Sequence, residues 1–181
     1  AVCILLVMFT LQNQDDMIDS ITKMLNRSTF INNCMINYSA GDPFTILLIR
    51  IPDFTIMMNT FGGRFINDLL SSFSEYLSSF VNLGDGYYLE DECFALTFSK
   101  DDGKVGNVYR DIRSKLDSNW KIGTVDTLIS ASFLRIDCPG DARDVVTLMD
   151  YIDQFKHMGD VTEHLLHTGE INMYDKKRRI D

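Results

Sequence analysis

The pattern of apolar and polar positions predicts a mixed α/β domain. Residues 44–51 form an almost unbroken apolar run, which is typical of a central strand buried on both faces. Residues 87–89 and 93–98 are short β-prone runs separated by three acids, and this arrangement predicts a hairpin. Residues 127–136 alternate with a period of two, which predicts a further strand.

Helical periods fill the intervals between these strands. We predict one helix over residues 1–20, a second that holds from residue 54 to about residue 80 with an interruption at Gly62-Gly63, and a third over residues 102–116. A fourth is predicted from a cap at Asp141, with Asp144 in its first turn, to about residue 167, and a short edge strand over residues 170–174 follows it.

The first helix carries an apolar run over residues 1–11 and a 3,4-spaced seam that is typical of a coiled coil. A membrane span needs about 20 apolar residues, so this run is too short to be one. It also lacks the basic start of a signal peptide. We expect residues 1–20 to form a homodimer or to receive input from an upstream sensor. The alternative is the inner end of a membrane helix that begins upstream. In both cases we expect a cytoplasmic domain, and in the second it belongs to a membrane-anchored protein.

Composition narrows the range of partners. The 181 residues are 45% hydrophobic, enough for one domain with a core. Acids outnumber bases 26 to 17, giving a net charge of −9, which argues against nucleic-acid binding because phosphate contacts need clustered Lys and Arg. The four cysteines lie far apart without zinc-ligand spacing, so reduced core thiols are expected.

The segment from residue 19 to residue 30 carries the most specific motif. Small and polar residues form a turn, Asn26 or Ser28 is placed to cap the next helix, and Asp19 is placed to pair with Arg27. Together with Phe30, these residues resemble the entry signature of the GGDEF family, the bacterial diguanylate cyclases. The residues that match in register are Asp19, Thr22, Asn26, Arg27 and Phe30.

A second block, after the first predicted strand, resembles the same family without a gap. Its matching residues are Ile51, Phe54, Thr60, Phe61, Gly62 and Leu70. The resemblance implies a nucleotide-cyclase-like palm, a mixed sheet of about five strands flanked by helices, over residues 21–175. Residues 1–20 would then be a signalling helix, and residues 176–181 a basic linker toward a phosphodiesterase (EAL) domain of the kind that often follows in the family.

At the positions that the resemblance implies for the active site, this chain carries residues that differ from the family's. The family's metal-binding, guanine-contacting, glycine and phosphate-binding positions fall on Arg50, Pro52, Met58, Asn67, Glu90, Asp91, Glu92, Cys93 and Asp160. Only Glu92 keeps a metal-binding acid. The family's feedback site for its product falls on Val81 and Gly84, which cannot form it.

Arg50 is the most consequential change. A guanidinium about 4 Å from Mg²⁺ repels it by roughly 8 kcal/mol at an effective dielectric of about 20, and arginine does not lose its proton. We predict that Arg50 pairs instead with Glu90, Asp91 or Glu92. The acidic corner is then either a solvated turn or the remnant of a metal–nucleotide site.

These differences predict a catalytically inactive GGDEF-type signalling domain that needs no cofactor. We expect it to serve as a regulatory or interaction module in a cyclic di-GMP-related bacterial signalling protein. The alternative is a domain that binds GTP as an allosteric ligand without turnover, with Asn67 contacting the base. An active enzyme is a third hypothesis, and it requires Glu92 and Asp53 to hold Mg²⁺. His157, His164 and His167 are predicted to lie along one polar helix face rather than to bind a metal.

Overall fold

The computed structural model describes residues 17–52, 54–99, 103–158 and 164–171. These residues contain seven strands, five helices of eight residues or more, and a further helical turn at residues 168–171. The strands are β1 (Phe44–Arg50), β2 (Gly86–Tyr88), β3 (Cys93–Phe98), β4 (Trp120–Ile122), β5 (Val125–Thr127), β6 (Ser132–Cys138) and β7 (Leu165–His167). The helices are α1 (Arg27–Ala40), α2 (Phe54–Phe61), α3 (Gly63–Ser78), α4 (Lys104–Leu116) and α5 (Val145–Lys156). None of these described helices has both the length and the apolar character to cross a bilayer.

The main sheet has five strands in the order β2-β3-β1-β6-β7. Only β6 and β7 run parallel; the other neighbours are antiparallel. Helices cover both faces of this sheet, so the predicted mixed α/β palm is confirmed. β4 and β5 form a separate two-stranded hairpin that the sequence analysis missed, although two short β-prone runs around Gly123 indicate it.

β1 is the centre of the sheet, as its apolar run predicts. All seven of its residues are buried. Because side chains alternate along a strand, Leu47 and Ile49 belong to the core that contains residues of α3 and α4. Ile46 and Leu48 belong to the opposite core, which contains residues of α1 and α5. Each face therefore has its own apolar layer, and β1 contributes to both.

The entry segment is a turn rather than the end of a helix. Residues 17–20 are not helical, so the predicted helix over residues 1–20 is wrong there; residues 1–16 lie outside the described part of the chain. Asp19 Oδ1 accepts hydrogen bonds from the backbone N–H and the hydroxyl of Thr22, both at 2.8 Å, which fixes the turn. Asn26 caps α1, as predicted, by accepting from Thr29 N at 3.0 Å. Arg27 contacts Asp153 of α5 at 3.7 Å, so the predicted pair with Asp19 is wrong.

The structure of the late part of the chain differs from the prediction in three further ways. The strand predicted from residue 127 begins at Ser132, because residues 128–131 do not pair and Leu128 is exposed. α5 ends at Lys156 rather than near residue 167, since the chain turns back to pair β7 with β6. The three histidines therefore do not share a helix face. Residues 170 and 171 lie in a helical turn, so the edge strand is residues 165–167 instead.

The cap of α5 also differs from the prediction. Asp144 is the N-cap, with its Oδ1 accepting a hydrogen bond from Thr147 N at 2.7 Å. Asp141 lies in the preceding turn, where its Oδ2 accepts from Asp137 N at 2.9 Å. The two acids thus have separate roles, because a carboxylate that closes the turn is not available to the helix.

In the connection between β2 and β3, residues 90–92 have an unusual backbone; we call these three residues the tip. Glu90, Asp91 and Glu92 have φ values of 66°, 45° and 59°. Left-handed backbone costs a residue with a Cβ roughly 1–2 kcal/mol. Hydrogen bonds close the tip, from Leu89 N to Cys93 O at 2.8 Å and from Cys93 N to Glu90 O at 3.0 Å. The predicted hairpin is present, but its tip has a conformation that glycine adopts more easily.

Relieving this strain is expected to stabilise the domain. Glu90 is exposed, so Glu90→Gly removes the Cβ penalty with little loss of packing. We expect the free energy of unfolding, measured by urea denaturation, to rise by about 0.5–1 kcal/mol. Glu75→Gly, on the exposed face of α3, is the matched control and should lower it by about 0.5 kcal/mol. An equal decrease in the free energy of unfolding in both variants would contradict the inference that the backbone of the tip is strained.

The buried cysteines give a second test. Cys34, Cys93 and Cys138 are free and buried, and burial raises the pKa of these thiols to about 12, 12 and 11. At pH 8 almost none of each is thiolate, the reactive form. In a Cys3→Ser background, we expect the native protein to react very slowly with a thiol reagent and to react at three sites in urea. If one of these thiols reacted rapidly in the native protein at pH 8, that would contradict its burial in the core.

Candidate functional site

Arg50 is the last residue of β1 and lies deep in the sheet. It pairs with Cys93 on β3 and with Ser132 on β6, and it is only 7% exposed. Its Nη1 donates a hydrogen bond to the carbonyl oxygen of Lys156, the last residue of α5, at 3.1 Å. A helix C-terminus carries partial negative charge, so this end of α5 stabilises a cation. The guanidinium is thereby fixed between the strand and the helix end.

Lys156 brings a second cation to the same place. Its Nζ lies 2.7 Å from Asp91 Oδ2 and donates to the carbonyl oxygen of Leu89 at 3.2 Å. The Lys156 side chain is only 7% exposed, whereas the Asp91 side chain is 75% exposed. The hydrogen bond from Lys156 is the main cause that lowers the pKa of Asp91 below its usual value. An ammonium group therefore neutralises the middle acid of the tip.

Sequence reasoning missed Lys156 because its partners lie 65 or more residues away along the chain. The predicted helix ran to about residue 167, so it gave no sign that Lys156 lies in the last turn of α5, where a basic residue is favoured. For Asp91, the cation in contact is Lys156 rather than the predicted Arg50. The predicted pairing of Arg50 with an acid of the tip remains a prediction.

The remaining positions at this end of β1 are apolar or neutral. Pro52 is buried and offers no carboxylate. Ile51 N donates to the carbonyl oxygen of Glu92 at 3.1 Å, which ties the tip to the strand end. Cys93 is fully buried with a raised thiol pKa, so it is held as a neutral thiol rather than as an anionic ligand.

Met58 and Asn67 lie on the two helices that follow β1. Met58 is on α2 and 41% exposed, and Asn67 is exposed on α3. The chain breaks between these helices at Gly62, whose φ of 83° suits glycine. Asn67 offers both a donor and an acceptor to a ligand, whereas the Met58 thioether offers only a weak acceptor.

The structure thus brings the tip, Arg50 and Cys93 together at one end of β1. Asp160 and Asp53, to which the sequence analysis also assigned roles, lie outside the described residues. Across residues 17–52, 54–99, 103–158 and 164–171, no group of three His, Cys, Asp or Glu side chains is arranged to hold a metal ion. Two cations, Arg50 and Lys156, lie at this same end of β1.

Comparison with known structures finds folds similar to this one. The GGDEF domain of TpbB, also called YfiN, from Pseudomonas aeruginosa has a TM-score of 0.75 at 14% identity, over 90% of this chain and 99% of that one. The structure of the coiled coil and GGDEF domain of DgcB from Caulobacter crescentus, in complex with c-di-GMP, has a TM-score of 0.72 at 15% identity. The match covers 92% of this chain and 93% of that one. A diguanylate cyclase/phosphodiesterase from Caldicellulosiruptor saccharolyticus has a TM-score of 0.65 at 14% identity, and the match covers 78% of this chain and 85% of that one.

Sequence comparison leads to the same family. No curated protein sequence matches the chain. The family model described as "Diguanylate cyclase, GGDEF domain" matches residues 16–158, which include β1, the tip and α5. The chain therefore belongs to the GGDEF family of diguanylate cyclase domains.

Proposed function

We propose that this GGDEF domain is catalytically inactive and acts as a regulatory or interaction module in a cyclic di-GMP signalling protein. The observation that carries the proposal is the buried guanidinium of Arg50 at the end of β1, held against the last carbonyl of α5. By its resemblance to the family, this is the position of a metal-binding aspartate. A positive charge there repels Mg²⁺ by roughly 8 kcal/mol at about 4 Å and an effective dielectric of about 20.

The tip supports the same proposal. Magnesium binds oxygen ligands, and beside Arg50 the chain offers the buried neutral thiol of Cys93. The positions that resemble the family's glycines carry the side chains of Glu90 and Asp91, which add bulk and negative charge where a triphosphate would approach bare backbone. The described residues therefore do not fit a magnesium–nucleotide complex, and we assign no catalytic step to them.

A direct assay tests the proposal. Purified protein is incubated with GTP and MgCl₂, and both the heat of binding and the formation of cyclic di-GMP are measured, with an active diguanylate cyclase as the positive control. We expect neither product nor binding heat, because Arg50 and the tip side chains oppose the metal and the phosphates. Product would contradict the proposal. Binding without product would favour a nucleotide-binding allosteric domain in which Asn67 contacts the base.

The partners proposed for such a module are a second copy or an upstream sensor, through residues 1–20, and an attached phosphodiesterase domain. Support for the first comes from the 3,4-spaced apolar positions in residues 1–11 and from the coiled coil named with the similar DgcB structure. Support for the second comes from the similar structure named as a diguanylate cyclase/phosphodiesterase. Both arrangements suit a domain that passes a signal on rather than making a product.

Shortening the chain tests the proposed dimer. Removing residues 1–11 deletes the apolar half of the seam, and we expect the mean molar mass from light scattering at a fixed protein concentration to fall toward that of one chain. The control is a Leu11→Ala variant of the full chain, which weakens a single seam position and should give an intermediate mass. An unchanged mass after the deletion would contradict dimerisation through this segment.

A further inference from the structure

The tip requires something to hold it in place. Three consecutive residues with side chains have left-handed backbone there, and such conformations persist only where the surrounding structure imposes them. Backbone hydrogen bonds fix its two ends, from Cys93 N to Glu90 O at 3.0 Å and from Ile51 N to Glu92 O at 3.1 Å. The residue between those ends, Asp91, is held through its side chain.

Lys156 makes that side-chain contact and joins three parts of the fold. Its ammonium group binds Asp91 in the middle of the tip and the carbonyl oxygen of Leu89 just before it. Its own carbonyl oxygen accepts from Arg50 at the end of β1. Because the ammonium group is shielded from water, its charge-assisted hydrogen bonds are stronger than those of an exposed lysine.

We infer that Lys156 is a built-in cation that holds the acidic tip in its left-handed conformation without a metal ion, and that it couples the tip to the C-terminal end of α5. We call the contacts of Lys156 with Asp91 and Leu89 the Lys156 clamp. The inference deepens the proposed function and rests on it in one respect, that the tip is not a magnesium site. Lys156 is a positioning residue, since it acts on the tip rather than on a substrate.

The coupling has a direct consequence for signalling. A partner that binds the exposed carboxylate of Asp91 competes with the Lys156 ammonium group for it. Losing that contact leaves the Lys156 ammonium group with the carbonyl oxygen of Leu89 alone, and it loosens the attachment of the last turn of α5 to the tip. A change at the tip is then transmitted to the C-terminal end of α5.

Hydrogen exchange measured by mass spectrometry tests the clamp on the full chain. Lys156→Met keeps most of the side-chain volume and removes the charge. We expect exchange of the amides in peptides that contain Cys93 and Ile51 to become at least about tenfold faster, the loss that a hydrogen bond to a charged group implies. Lys115→Met is the matched control: Lys115 lies in the last turn of α4 with its ammonium group over the Trp120 ring, and its loss should leave those peptides unchanged.

Further variants separate a clamp from general destabilisation. Asp91→Asn removes the other charge and should accelerate the same peptides, whereas Lys156→Arg should restore most of the protection. Glu90→Gly relaxes the strained backbone and should reduce the effect of Lys156→Met. Millimolar MgCl₂ should leave the exchange of the wild-type tip unchanged.

Three results would overturn the inference. These are unchanged tip exchange in Lys156→Met, equal acceleration in peptides from β6, and slower wild-type tip exchange with MgCl₂. Formation of cyclic di-GMP in the GTP assay would overturn the proposed function while leaving the exchange results for Lys156→Met standing. The two failures are therefore distinguishable.

Discussion

The contact of the Lys156 ammonium group with Asp91 and Leu89 is the interaction on which this end of the domain depends. It brings a shielded positive charge to a loop of three acids whose backbone is strained. Through the Lys156 carbonyl oxygen and Arg50, the same residue attaches α5 to β1. Without a cation, the three acids would repel one another, and the left-handed backbone would lose its main side-chain support.

The rest of the fold is independent of this contact. β1 is buried along its whole length between two apolar layers, which hold the sheet together whatever lies at its end. Under the function proposed above, this is how a chain would keep the GGDEF fold without cyclase chemistry at the end of β1. Fold and chemistry are separable because stability comes from the core and function from a few side chains at its edge.

The sequence predicted those parts of the structure that depend on local pattern. The run over residues 44–51, the hairpin around the tip and the Asn26 cap are all present, because each follows from neighbouring residues alone. The left-handed tip was not predictable, since Glu90, Asp91 and Glu92 do not favour that backbone and only their surroundings impose it. Lys156 was missed for the same reason. Its position on α5 is local, but its partners are set by how α5 packs on the sheet.

A crystal structure of the protein grown with MgCl₂ and a non-hydrolysable GTP analogue would show whether Lys156 or a metal ion holds the tip. We expect that Lys156 Nζ stays bound to Asp91 and Leu89, that Arg50 stays against the end of α5, and that no magnesium ion lies between β1 and the tip. A magnesium ion bound there by Glu92, with the Arg50 guanidinium displaced from the carbonyl oxygen of Lys156, would contradict it.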